Sequence, residues 1–224
     1  FRLAGPSTVL VALAAVAAGA SGPIAALGVA ASLAAAATSL APTTADAFVD
    51  GASYGDERRL TLRVPPALLF GPLPLAWALS AIGAAAGPLL LATGQWVLGA
   101  VALVVGWALV AYVAVRVHQL SRRWAVFVPA GLLVHDRLTL AEPILLRRSD
   151  IARLGPAEVG TDATDLTSGS LGLVIEVTLT DPVSAGVRIG RDTAENRSMT
   201  AILLGPARPG ALIDEARRRR ITVA

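Results

Sequence analysis

The chain has 224 residues, of which 54% are hydrophobic and only 16% charged, and its mean hydropathy is +0.65. Soluble domains carry about 25% charged residues, so the average alone excludes an ordinary water-soluble globule and points to a membrane protein. A formal net charge of +3 argues against a nucleic-acid binder, and the absence of cysteine removes disulfides, thiolate metal sites and cysteine nucleophiles.

The deficit of charge is uneven. No ionisable side chain falls between Leu3 and Ala45, whereas acids and bases alternate freely from Ser121 onward. The chain opens at Phe1 and its single methionine is Met199, so a short preceding piece is expected. Leu3 to Ala41 is one long apolar run interrupted at Ala20-Ser21-Gly22-Pro23. As a single helix it would reach nearly 60 Å, far beyond the ~30 Å of a hydrocarbon core. Gly and Pro punctuate turns, so the reading is a hairpin with spans at about 4–20 and 23–41. A cleaved signal peptide ending near Ala18-Gly19-Ala20 is the rival.

A polar connector follows, with Asp46, Asp50, Asp56 and Glu57 ahead of Arg58, Arg59 and Arg63. The prolines 65, 66, 72 and 74 then bend the approach to a third span at about 74–93. The fourth span, about 95–117, carries no charge before Arg116 and runs into Arg122 and Arg123. Arg2, the Arg58/Arg59/Arg63 group and Arg116/Arg122/Arg123 fall on one side of a four-span arrangement, and the uncharged turns near Ser21 and Gly94 on the other. The positive-inside rule then places both termini and the C-terminal half in the cytoplasm. These arginines are expected to fix topology or to meet anionic lipid headgroups, each worth about 1 kcal/mol there. Gly83-Ala84-Ala85-Ala86-Gly87 fits the small-xxx-small pattern, so Gly83 and Gly87 are the expected helix-packing positions.

Beyond Ser121 the period changes to two. Trp124–Val128 and Leu132–Val134 form a hairpin signal around Pro129-Ala130-Gly131. Leu138–Leu140, Ile144–Leu146 and Asp150–Leu154 look like further strands, and Gly155–Ser170 like a polar loop. Leu171, Leu173, Ile175, Val177 and Leu179 alternate strictly, Val183–Ile189 and Met199–Leu204 follow, and a helix starts near Pro209. In that helix Asp214 and Glu215 precede Arg217 to Arg220, which suits the helix dipole and suggests a solvated helix end. The expected fold is therefore α+β: residues 1–120 transmembrane, and residues 121–224 a small β-domain of about seven strands closed by one helix.

Trp124-Ala-Val-Phe-Val-Pro-Ala-Gly-Leu132-Leu-Val, Pro143-Ile-Leu-Leu with Ser149-Asp-Ile151, and Leu203-Leu-Gly-Pro-Ala-Arg-Pro209-Gly-Ala-Leu-Ile213 resemble the bacterial membrane-anchored PH-like domains. The likeness covers about residues 122–221, and the alanine- and arginine-rich composition is of the actinobacterial type. It implies a β-barrel or roll with a C-terminal capping helix, no shared catalytic motif and no cofactor. No binding residue is carried over. The loop 155–170 lacks the basic cluster with which eukaryotic PH domains hold phosphoinositides.

Gly51-Ala52-Ser53-Tyr54-Gly55 has the letters of a nucleophile elbow, but a polar connector supplies neither the strand before it nor the acid and base beyond it. His118 and His135 stand apart from any metal-ligand set and are expected in interfacial or surface roles. The expectation is a non-enzymatic membrane protein with a cytoplasmic PH-like module for protein or lipid interaction, acting as an accessory subunit beside other membrane subunits. The alternative is a small-solute or ion transporter or channel component. Transporters keep ionisable groups inside their spans, and these spans have none in their middles. An enzyme acting at the lipid surface ranks third, for want of any paired acid/base set.

Overall fold

The computed structural model describes residues 4–120, 122–190 and 193–224. Arg2, invoked above for topology, lies outside them. The fold is mixed α+β and divides into two compact units, one of residues 1–44 with 67–120 and one of residues 45–66 with 121–224. The single cut expected near Leu120 is therefore joined by a second feature. The polar connector belongs to the β unit.

The first unit is helical. α1 (Ala4–Ala17) and α2 (Gly22–Leu40) form the N-terminal hairpin, with Gly19 and Gly22 at positive φ in the turn. α3 (Pro42–Asp50) straddles the division, and the short α4 (Pro66–Leu69) leads into α5 (Pro72–Ala92) and α6 (Trp96–Leu120). Among the described residues three stretches are long and apolar enough to cross a membrane: Gly22–Leu40, Pro66–Ala92 and Trp96–Leu120. The expected first span is the shorter apolar helix among the described residues. α1 has 14 residues, about 21 Å of helix against a ~30 Å hydrocarbon core.

α5 and α6 pack through glycine. A Cβ on Gly83 would stand 2.9 Å from the Gly106 carbonyl, and one on Gly87 would collide with the backbone of Leu103. Gly99 on α6 likewise receives Leu91, whose Cγ lies 2.8 Å from where a Cβ would be. With no hydrophobic gain available between helices in lipid, this closeness is what dispersion needs. Gly94, at φ +81°, ends α5, and the amides of Gly94 and Gln95 donate to Leu91 and Leu90 (both 3.0 Å). Val97, Val101, Val104, Val105 and Trp107 are exposed along α6, an apolar exterior that suits hydrocarbon better than water.

The second unit holds two four-stranded sheets. The first has the order β1-β2-β3-β4, all antiparallel: β1 (Arg58–Thr61), β2 (Arg123–Val128), β3 (Gly131–Asp136) and β4 (Ile144–Arg147). The second comprises β5 (Ile151–Pro156), β6 (Thr164–Asp165), β7 (Ile175–Arg188) and β8 (Ala194–Leu204) in the order β5-β7-β8-β6, with β6 parallel to β8. Helix α7 (Pro209–Arg218) closes the chain. Phe127, Leu132 and Leu146 of the first sheet, Leu154, Ile175 and Ile202 of the second, and Leu212 and Ala216 of α7 share one buried core.

The unit is not a closed barrel, which corrects the barrel form of the barrel-or-roll expectation. The chain changes sheet through a 3-10 turn at Arg148–Asp150, and the ladder does not continue across it. Leu138–Leu140 forms a turn with one bridge, Leu140 to Val187, in place of a strand. β7 runs unbroken from Ile175 to Arg188 with a register shift between Thr178 and Val183, so the two strands expected there are one. The alternating strand also starts later than its pattern. Leu171 and Leu173 are exposed because Gly172 turns at φ +95° and Arg63 Nη1 donates to both flanking carbonyls, at 2.9 and 3.0 Å.

β1 enters the sheet with its outer edge already covered. The amide of Arg59 donates to Asp50 Oδ1, and the amide and hydroxyl of Thr61 donate to Asp46 Oδ1, at 2.9, 2.9 and 2.7 Å. Two carboxylates one helical turn apart thus satisfy the alternate amides that an edge strand leaves open.

Next to β1 lies a buried ion pair. Arg123 Nε and Nη2 donate to Asp136 Oδ1 and Oδ2 at 2.8 and 2.7 Å, and Arg123 Nη1 donates to the Arg63 carbonyl at 2.6 Å. Both side chains are almost wholly buried. Breaking such a pair from one side strands a charge, so Asp136→Ala should cost about 3–5 kcal/mol. The double change Arg123→Met with Asp136→Leu should regain most of that, short of the donor lost to Arg63. Chemical denaturation of the full chain in detergent distinguishes the two outcomes. Gly87→Val should destabilise the α5–α6 pair by about 1–3 kcal/mol, while Ala84→Val on the exposed face of α5 leaves its thermal midpoint unchanged.

Candidate interaction surface

The arginines expected at headgroups have varied partners. Arg123 is neutralised inside the fold by Asp136. Arg58 pairs with Asp50, and Arg59 pairs with Glu57 at 2.9 Å while lying 6.0 Å from the Trp124 ring centroid. Arg63 holds the carbonyls of Leu171 and Leu173. Arg116, on α6, sits 5.1 Å over the Tyr112 ring, and Arg122 is exposed. The basic cluster is thus partly structural. Its signal in sequence, arginine near acids in a short connector, is the same whether the charge faces lipid or a carboxylate.

Glu57 shows the same local electrostatics. The Arg59 guanidinium and then the Tyr54 amide hold its carboxyl below the usual carboxylate range. At the C-terminus, Arg219 departs from the expected solvated helix end. Its Nε donates to Glu215 Oε1 at 2.7 Å, and its Nη2 donates to the Asp56 carbonyl at 2.6 Å, tying α7 to the connector.

An open recess of about 440 Å³ lies where the segment after β5 passes the start of β7. Leu173, Val174 and Leu203 supply its apolar wall, and Glu158 and Thr161 its polar groups. Around it the side chains of Val159, Leu171 and Leu173 stand in solvent. Sequence reasoning missed this surface, because it placed Leu171 and Leu173 in the alternating strand. Two guanidiniums stand beside it, both already engaged: Arg63 holds the carbonyls of Leu171 and Leu173, and Arg153 Nη2 lies 3.9 Å from Glu158 Oε1.

Ser53 of the elbow-like motif follows a helix, not a strand, and its Oγ donates to Asp50 Oδ1 at 3.1 Å. Among the described residues no group of three or more His, Asp or Glu side chains gathers to hold a metal. His135 stacks on Trp124, with ring centroids 5.1 Å apart and planes 17° from parallel.

The chain matches no protein-family model, no curated protein and no solved structure.

Partial burial, then Arg137 and Arg122, push the His135 imidazole below its ordinary value of 6.5, and Asp136 opposes them. The folded chain therefore resists protonation that the unfolded chain accepts. Stability from this group is intact above about pH 6.5 and falls as pH drops from there through the lowered folded value. His135→Phe keeps the stack and should flatten the melting midpoint between about pH 7 and 5, measured on the full chain in detergent.

Proposed function

We propose that this chain is a non-enzymatic integral membrane protein of a bacterial plasma membrane, in which four apolar helices anchor a cytoplasmic PH-like module for interaction with another membrane protein. The observation that carries the reading is the pairing of β1 with β2, Arg58 opposite Phe127 and Thr61 opposite Trp124. The two strands flank α5 and α6 in sequence and share one sheet, so an even number of crossings separates them. Two antiparallel spans joined at Gly94 meet that requirement.

α1 with α2 would supply the other two crossings, with α1 tilting little or thinning the bilayer locally to compensate for its length. Arginine on the connector and after α6, against uncharged turns at Ser21 and Gly94, favours a cytoplasmic β unit and cytoplasmic termini. The apolar rim of Val159, Leu171 and Leu173 around the recess favours a protein partner, which suits an accessory subunit. Arg116 and Arg122 remain the positions for lipid headgroups.

The cysteine-free sequence permits a direct topology test. In intact cells, a membrane-impermeant maleimide should label Ser21→Cys and Thr93→Cys, and should reach Asp56→Cys and Glu142→Cys only after permeabilisation. Labelling of Asp56→Cys or Glu142→Cys from outside overturns the orientation. Labelling of Asp56→Cys and Glu142→Cys from opposite sides overturns the architecture itself.

A further inference from the structure

Several sheet edges in the β unit are covered. Asp46 and Asp50 satisfy the amides of β1, and the C-terminal residues run along β5, with the Ala224 amide donating to the Leu154 carbonyl at 3.0 Å. The far half of β7 is met by the turn after β3, where the Ala141 amide donates to Gly186 and the Arg188 amide to Thr139, at 2.9 and 2.8 Å. Among the described residues nothing covers the far half of β8 in this way. Residues 194–198 are all exposed, and β6 pairs only with Ile202 and Leu203.

The register fixes which groups that edge presents. Gly186 and Arg188 use their backbone groups on the outer side of β7, and the Ile189 amide donates to the Thr193 carbonyl at 3.1 Å on the inner side. With Ala185 opposite Arg197 and Val187 opposite Glu195, the odd-numbered residues of this hairpin exchange the inner bonds. Ala194, Asn196 and Ser198 therefore point their amides and carbonyls outward. Among the described residues no backbone hydrogen bond reaches them from that side.

The side chains between them are self-complementary. Glu195 and Arg197 flank Asn196, and within one chain they make only an exposed ionic contact of 3.4 Å. Turned about a two-fold axis through Asn196, a second edge places Arg197 opposite Glu195 and Glu195 opposite Arg197. Asn196 then exchanges both backbone bonds with its own copy, and Ala194 exchanges them with Ser198. A parallel or one-residue-shifted pairing loses both charge matches. Exchanging a weak surface contact for two cross-strand pairs costs little, and a shared membrane raises the local concentration of partners.

We propose that the outer edge of β8 over Ala194–Ser198 pairs antiparallel with the same edge of a second copy of this chain, about a two-fold axis through Asn196. The occupant is a like chain because the charge order Glu-Asn-Arg matches its own reverse. This inference stands independently of the function proposed above.

The test uses the full chain in detergent or nanodiscs. Asn196→Cys supplies the only thiol, at a site where the paired Cα atoms would lie about 5.5 Å apart, within disulfide range. Mild oxidation should give a disulfide dimer for Asn196→Cys and not for Asp181→Cys, an exposed position off this edge. In the Asn196→Cys background, Glu195→Arg and Arg197→Glu each oppose like charges and should lower the cross-linked fraction about fivefold. Mixing those two chains restores both matches, and should restore the cross-link as a heterodimer. The mixture also controls for folding, since it contains only the variant chains. Equal cross-linking at positions 181 and 196, or a mixture no better than either variant alone, overturns the proposal.

Discussion

The β unit depends on one buried guanidinium. Arg123 begins β2 just after α6, and its three donor contacts reach Asp136 at the end of β3 and the backbone of Arg63 in the connector. Asp136 Oδ1 also accepts the Leu138 amide at 3.0 Å, so the same carboxylate organises the turn that follows. A buried ion pair is weak evidence for net stability, because desolvating both ions offsets much of their attraction. What it adds here is position. An apolar side chain at 123 could fill the space, but it could not select the carbonyl of Arg63 over its neighbours. The pair thus fixes where the connector lies against the hairpin, and with it the register of β1.

α3 performs the matching task on the other side of β1. Asp46 is almost fully buried, and beyond its bonds to Thr61 its Oδ2 stands 3.6 Å from Arg208 Nη1, an ionic contact longer than a hydrogen bond. Asp50 receives Arg58, the Arg59 amide and Ser53. A four-residue strand carrying two arginines has little reason to be a strand in isolation. It becomes one because carboxylates satisfy its outer amides and Arg123 orders its exit. The bare edge of β8 differs, since among the described residues no local carboxylate or turn reaches its backbone.

The hairpin of β2 and β3 was legible in sequence, because period-two alternation and a Pro-Ala-Gly turn are local signals. The helices were legible for the same reason. Uninterrupted apolar runs and Gly-Pro breaks mark them, and Gly83 and Gly87 mark the face of α5 that meets α6. The strand at Arg58–Thr61 was not legible, since its partners lie beyond two helices. Nor was the burial of Arg123, whose neutralising Asp136 is 13 residues away and looks like any surface acid. Leu171 and Leu173 misled in the opposite direction. Their alternation continues that of β7, but a glycine at positive φ and a distant arginine take them out of the ladder and leave them around the recess.

This arrangement also constrains how the protein is built. β1 is synthesised before α5 and α6, and its partner β2 only after them, so its inner hydrogen bonds wait for a long loop to close. An unpaired apolar strand held that long invites pairing with other chains. This strand is short, carries Arg58 and Arg59, and has its outer amides within reach of aspartates only 9 and 15 residues earlier. α3, the turn at residues 51–57 and β1 can therefore associate locally before the last helices are complete. In the topology proposed above, α5 and α6 insert as an antiparallel pair and return the chain to the same side of the membrane, where Arg123 and Asp136 finish the sheet. Four residues of the polar connector thus form the β unit's first strand, and two of the acids that make the connector look like a loop in sequence satisfy that strand's outer amides.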